Sequence, residues 1–190
     1  MMKMSTLAYI LSLILFSASF ALSQTAAVGS RFPGLSQSQL EKLETAKKVT
    51  AIPLPTWLPA GFKAERILMK LGSRVPIEEK QLVIIYSRKL SNGKKQQFSI
   101  EGGFEGLGGL PYDVTKVVAS AVGKLDLMYE PKDPDDGKKK IERFSMTEWF
   151  KVGKTDFHFD GMYGSNPDNP LIAMISLADT EKILRSLRRF

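Results

Sequence analysis

The chain predicts an α+β fold: an antiparallel meander sheet of six or seven strands with an N-terminal and a C-terminal helix packed on it. Three observations carry this. From Phe62 onward, strand-length runs rich in β-branched and aromatic residues follow one another with period-two patterning. The turn signals between them are short, at Ser91-Asn92-Gly93-Lys94, Gly123, Asp135-Asp136-Gly137 and Val152-Gly153. Such connections join antiparallel neighbours, because a parallel crossover needs about a dozen residues or more. Capped amphipathic segments stand at both ends of the strand-rich region.

Residues 1–23 read as a secretory signal peptide, with Lys3 ahead of an apolar run from Leu7 to Phe16 and small residues at Ala21 and Ser23. Cleavage is expected after Ser23, with Ala21 and Ala26 as alternative ends. The competing reading is an uncleaved anchor. The uncharged stretch from Met4 to Ser30 is long enough, but its second half is rich in Ser and Ala, and its apolar part is shorter than the roughly 18 to 20 residues of a spanning helix. Residues 24–35 form a linker, and 36–190 a single domain.

In "SQSQLEKLETAKKV" two overlapping capping boxes, Ser36 with Gln39 and Ser38 with Glu41, precede Leu40, Leu43 and Ala46. The pattern predicts a helix over 38–48. "TAIPLPTWLPAGF" follows, where Pro53, Pro55 and Pro59 forbid a helix and a strand paired on both sides. It is expected to be an extended segment ending in a turn at Ala60-Gly61, with Trp57 and Leu58 over an edge of the core. Seven strand-like runs come next, at 62–72, 81–90, 94–102, 113–122, 124–130, 140–152 and 154–163. "PLIAMIS" fits a further strand or an extension of the last helix. In "SLADTEKILRSLRRF", Ser176 can cap with Asp179, and Leu177, Ile183, Leu184 and Leu187 share a side. This predicts a helix over 178–188, with Arg185, Arg188 and Arg189 near its C-terminus.

The 190 residues include no cysteine, which excludes disulfides, thiolate metal sites, a cysteine nucleophile and attachment of a lipoprotein lipid. Loss of residues 1–23 removes Lys3 and takes the formal charge from +7 to +6. A basic exported surface suits anionic head groups, acidic polysaccharides and acidic proteins, and nucleic acid is not an expected partner.

"EGGFEGLGGLPYD" at 101–113 invites a phosphate-loop reading, but no Lys-Ser or Lys-Thr follows its glycines, and Pro111 follows where a helix should open. A wide connection is expected, whose Phe104 and Leu107 offer an apolar lip to a partner. "KDPDDGKKK" at 132–140 has its glycine one place early for a calcium loop, and Phe144 where the glutamate belongs. It reads as a solvated tip carrying the basic cluster Lys138, Lys139 and Lys140. In "TDFHFDG", alternation puts Phe157 and Phe159 on one face and Asp156, His158 and Asp160 on the other. A polar, solvated face is the expectation. A proton switch or metal site at His158 is the alternative. His158 is the only histidine, so a Ser-His-Asp triad could form only around it, and no G-x-S-x-G elbow is present. Trp57 is a further binding candidate.

A proline-flanked "PTWLPAGF", a Tyr-Ser strand, a W-x-x-x-G strand and a closing helix ending in Ser-Leu carry a family resemblance. The residues are Trp57, Leu58, Pro59, Gly61, Phe62, Tyr86, Ser87, Trp149, Gly153, Ser186 and Leu187. Over roughly 53–187 the chain resembles a bacterial extracytoplasmic domain of unknown function found at the outer end of anti-sigma-factor-like proteins. That domain is similar in style to periplasmic sigma-factor regulators built on a lipoprotein-carrier fold. The resemblance implies a sensing or binding module and no catalytic residues. No sigma-binding segment precedes the apolar stretch, so direct sigma-factor control is not implied. The expected function is thus a non-enzymatic binding or sensing module of the bacterial envelope, without cofactor or metal, whose partner is an envelope protein or an anionic envelope component. A periplasmic carrier of a lipid or other apolar ligand is the alternative, and a hydrolase ranks third.

Overall fold

A computed structural model describes residues 31–103, 115–129, 145–161 and 171–190. Helix α1 (Gln37–Lys47) begins where the first of the two capping boxes places it. The Ser36 hydroxyl accepts from the Gln39 backbone N–H, and the Gln39 side chain accepts from the Ser36 N–H at 2.8 Å. Leu40, Leu43 and Ala46 are its buried stripe. Helix α2 (Leu177–Ser186) is capped by Ser176, whose hydroxyl accepts from the Asp179 N–H.

The extended proline segment contains strand β1 (Pro53–Pro55), paired antiparallel with β11 (Leu187–Arg189). The last helix therefore ends at Ser186, two residues before the expected 188, because the chain turns to pair. The Ile52 carbonyl accepts from Phe190 N–H, and Thr56 N–H donates to the Ser186 carbonyl. Ile52, Leu54 and Thr56 thus face β11. Pro53 and Pro55 take the alternate positions, where an absent N–H removes nothing from this ladder.

The main sheet comprises β2 (Lys63–Lys70), β3 (Gln81–Lys89), β4 (Lys95–Gly103), β5 (Thr115–Ser120), β6 (Gly123–Tyr129), β7 (Ser145–Thr147), β8 (Phe150–Val152), β9 (Thr155–Asp160) and β10 (Ile172–Ala173). Its order is β2-β3-β4-β9-β7-β6-β5, with β8 also on β9 and β10 parallel to β4. The run expected at 140–152 is interrupted at Glu148–Trp149, where Glu148 N–H donates to the Asp126 carbonyl. "PLIAMIS" resolves as the short strand β10.

The expected meander of six or seven strands is corrected: the described sheet has nine, β10 joins β4 in parallel, β7 and β8 both pair with β9, and the sequential order breaks after β4. Hairpins connect β3 to β4, β5 to β6 and β8 to β9, as the turn glycines imply, with Gly93 and Gly153 at positive φ of 81° and 66°. Strand β4, however, pairs with β9, and its successor β5 lies at the far edge of the sheet. Eleven residues separate the two strands in sequence, too many for a two-residue hairpin to force them to be neighbours. Packing favours β9: the Phe157 ring lies over Gly102, where a Cβ would stand 2.6 Å from it.

One face of this sheet is the core. Leu82, Ile84, Tyr86, Phe98, Ile100, Phe157, Phe159, Leu125 and Leu127 are buried there with Leu43 and Ala46 of α1 and Ile183 and Leu184 of α2. Phe98 is its centre, stacked on Tyr86 at 4.8 Å and on Phe159 at 5.2 Å. Helix α1 also closes the sheet's first edge, where Gln39 Nε2 donates to the Ala64 carbonyl and Lys42 Nζ to the Ile67 carbonyl, both at 2.7 Å.

Candidate functional site

The opposite face of the sheet holds the chemistry, in two neighbourhoods. The first is an open groove at the β3–β4 hairpin end, with a volume of about 540 Å³, between Ser87, Arg88 and Lys89 of β3, Lys95 and Gln97 of β4, and Leu171 and Ile172. The sequence RKLSNGKK builds it. Gly93 at positive φ turns the chain, Leu90 N–H donates to the Lys94 carbonyl, and Lys94 N–H donates to Asn92 Oδ1. This turn fixes the register in which Lys89 stands directly across from Lys95, and Ser87 from Gln97.

Like charges directly opposite in a sheet destabilise it. Lys95 is partly compensated by Glu65, 2.7 Å away. The hydrogen bond from Lys95 is the leading cause that holds the Glu65 carboxyl below the usual carboxylate range, against the opposing effect of burial. Lys89 is exposed and makes no ion pair among the described residues. Arg88, between Ser87 and Lys89 on β3, turns its head group to the helix-covered face: Nε donates to Gln96 Oε1 at 2.7 Å, Nη1 to the Ala60 carbonyl, and the guanidinium lies 4.7 Å from the Phe62 ring centroid and 3.7 Å from Asp179. The apolar wall is pinned by Lys95 N–H donating to the Leu171 carbonyl at 2.8 Å.

The second neighbourhood surrounds His158. The β4–β9 register sets Glu101 across from His158. Glu101 Oε1 accepts from the Ser99 hydroxyl at 2.6 Å, and its Oε2 lies 3.4 Å from His158 Nε2. Burial pushes the Glu101 carboxyl up, but the hydrogen bonds from His158 and Ser99 outweigh it and leave the group below its ordinary value. The imidazole sits 4.2 Å from the Trp149 ring, and its buried Nδ1 has no hydrogen-bond partner among the described residues. Ser99 is fully buried and gives its proton to a carboxylate, not to imidazole, so these three residues do not form a nucleophilic triad.

The alternation expected in "TDFHFDG" is present, with Phe157 and Phe159 in the core. The solvated face expected for His158 is corrected, since its side chain is 13% exposed and Ile85, Ser99 and Met128 on the same face are buried. Asp156 is engaged by Lys151 Nζ at 3.0 Å. Among the described residues, no group of His, Asp and Glu side chains is arranged to hold a metal ion.

Trp57 is 37% exposed, with Lys182 Nζ 5.5 Å above its ring, and Leu58 packs against the core. Trp57 does not line the groove. Phe104, Leu107, Lys138, Lys139 and Lys140 lie outside the described residues. The groove itself was missed by reading the sequence, although the four basic residues flanking Asn92-Gly93 could have signalled it once the hairpin register was drawn. Glu101 and Ser99 carry no such signal, because their closeness to His158 depends on a non-sequential strand pair. No described helix is long and apolar enough to cross a membrane. No family model matches the chain, and no curated protein or solved structure matches it.

Proposed function

We propose that this is an exported, non-enzymatic binding or sensing module of the bacterial envelope that recognises an anionic envelope component in the groove between Lys89, Lys95 and Leu171. The single observation that supports the reading is the Lys89–Lys95 pair. Lys89 stands opposite Lys95 without an ion-pair partner among the described residues, while Glu65 holds Lys95, so the groove offers a cation that a bound anion can pair. The signal-peptide pattern of residues 1–23 supports export, and the resemblance to an extracytoplasmic domain points the same way.

Two measurements test it. The exported fraction should yield a chain that starts at Gln24, and a full-length chain confined to the cytoplasm would refute export. Titration with a polyanion such as polyglutamate should shift the backbone NMR signals of Gln97 and Gly93, and the Lys89→Glu, Lys95→Glu double variant should abolish the shift. Equal shifts in both proteins would remove the groove from the account.

A further inference from the structure

Leu171 sets the groove apart from a simple ion site. It is 68% exposed, the most exposed large apolar side chain among the described residues, and it stands on the rim that Lys89 and Lys95 share. Its backbone is held by the Lys95 N–H and by the β10–β4 pairing that begins at the next residue, so the side chain projects from a fixed position. A soluble anion has no use for such a residue. A membrane surface has use for both parts: phosphates take the lysines, and the acyl boundary takes the leucine.

From this combination we infer that the hairpin end of the sheet docks on an anionic phospholipid surface, Lys89 and Lys95 in the headgroup layer and Leu171 in the acyl boundary. The occupant is the bilayer surface, and charge complementarity with an adjacent apolar anchor selects it. Lysine stems are suited to this, because they lay their methylenes along an apolar layer and keep the ammonium among the phosphates. Binding is therefore salt-sensitive but not wholly electrostatic, since screening leaves the leucine contribution in place. The inference rests on the anionic reading of the groove and narrows it to one source of anion.

Vesicle sedimentation tests it, with protein recovered from the producing cells after its N-terminus has been established by mass. Vesicles of phosphatidylcholine mixed with phosphatidylglycerol should bind the protein, and pure phosphatidylcholine should bind it at least about tenfold less. Leu171→Ser should weaken binding to the anionic vesicles about tenfold, and polyglutamate binding far less. The Lys89→Glu, Lys95→Glu variant should lose both. Thermal unfolding checks that each variant is folded, and exposed Leu171 can be replaced without touching the core. Polyglutamate binding without vesicle binding, or vesicle binding unchanged by Leu171→Ser, would overturn the membrane inference and leave the anionic groove standing. Failure of both ligands would overturn the two together.

Discussion

The two faces of the main sheet obey different rules. On the helix-covered face, Leu82, Ile84, Phe98, Ile100, Phe157 and Phe159 are sealed and apolar, and neighbouring rings stack. On the other face the same strands carry Lys89 opposite Lys95, and Ser99 and His158 around Glu101. The first arrangement maximises burial. The second sets the exposed cation Lys89 opposite Lys95, which burial does not require, and a departure of that kind marks a place where a fold serves something besides its own stability. Stability should therefore track substitutions on the first face, and ligand binding those at the hairpin end of the second.

The largest effect should come from the centre of the sealed face. Phe98→Ala should cost about 3 to 5 kcal/mol by chemical denaturation, because it removes a ring packed between Tyr86 and Phe159. A loss comparable to that of a surface substitution would break the contrast. Next is Gly102→Ala, where the new methyl meets the Phe157 ring at the β4–β9 seam. An overpacking cost of about 1 to 3 kcal/mol is expected, and a neutral result would mean that the seam yields easily.

How much of this could be read from sequence divides along the range of the interaction. Both helices, their caps at Ser36 and Ser176, and the hairpins at Gly93 and Gly153 depend on residues a few positions apart, and local patterning made them legible. Phe157 and Phe159 were legible as core residues for the same reason. The β4–β9 pair was not, because the segment 104–114 leaves the position of β5 open and only packing across Gly102 decides it. The Glu101–His158 contact inherits that non-local choice. The strand at Leu187–Arg189 was hidden for a related reason: its residues continue a helical pattern, and the pairing with Pro53–Pro55 lies at the opposite end of the domain.

Acid should expose the special character of the second face. The Glu101 carboxyl lies below its ordinary value, so it stabilises the fold above that value and loses the contribution as pH falls through the lower folded-state one. Glu101→Gln should therefore be less stable than the parent near neutrality, and the gap should close as the pH falls below the ordinary carboxylate range. Denaturant midpoints collected against pH would show it, and a gap independent of pH would contradict the assigned hydrogen bonds. A smaller effect is expected in the core, where the Tyr86 hydroxyl is buried without a partner among the described residues and burial pushes its pKa up. Tyr86→Phe should leave the melting temperature unchanged or raise it, a gain of no more than about 1 kcal/mol. A marked loss would show that the hydroxyl has a role in the core.

The most direct test of the division between the faces is Lys89→Ala, read out for stability and for anionic-ligand binding in the same preparation. Removal of one member of the like-charge pair should leave stability unchanged or raise it by a few tenths of a kcal/mol, while binding to anionic vesicles and to polyglutamate falls. Stability and binding that fall together, or binding that does not change, would contradict the claim that this face is built for an anionic ligand.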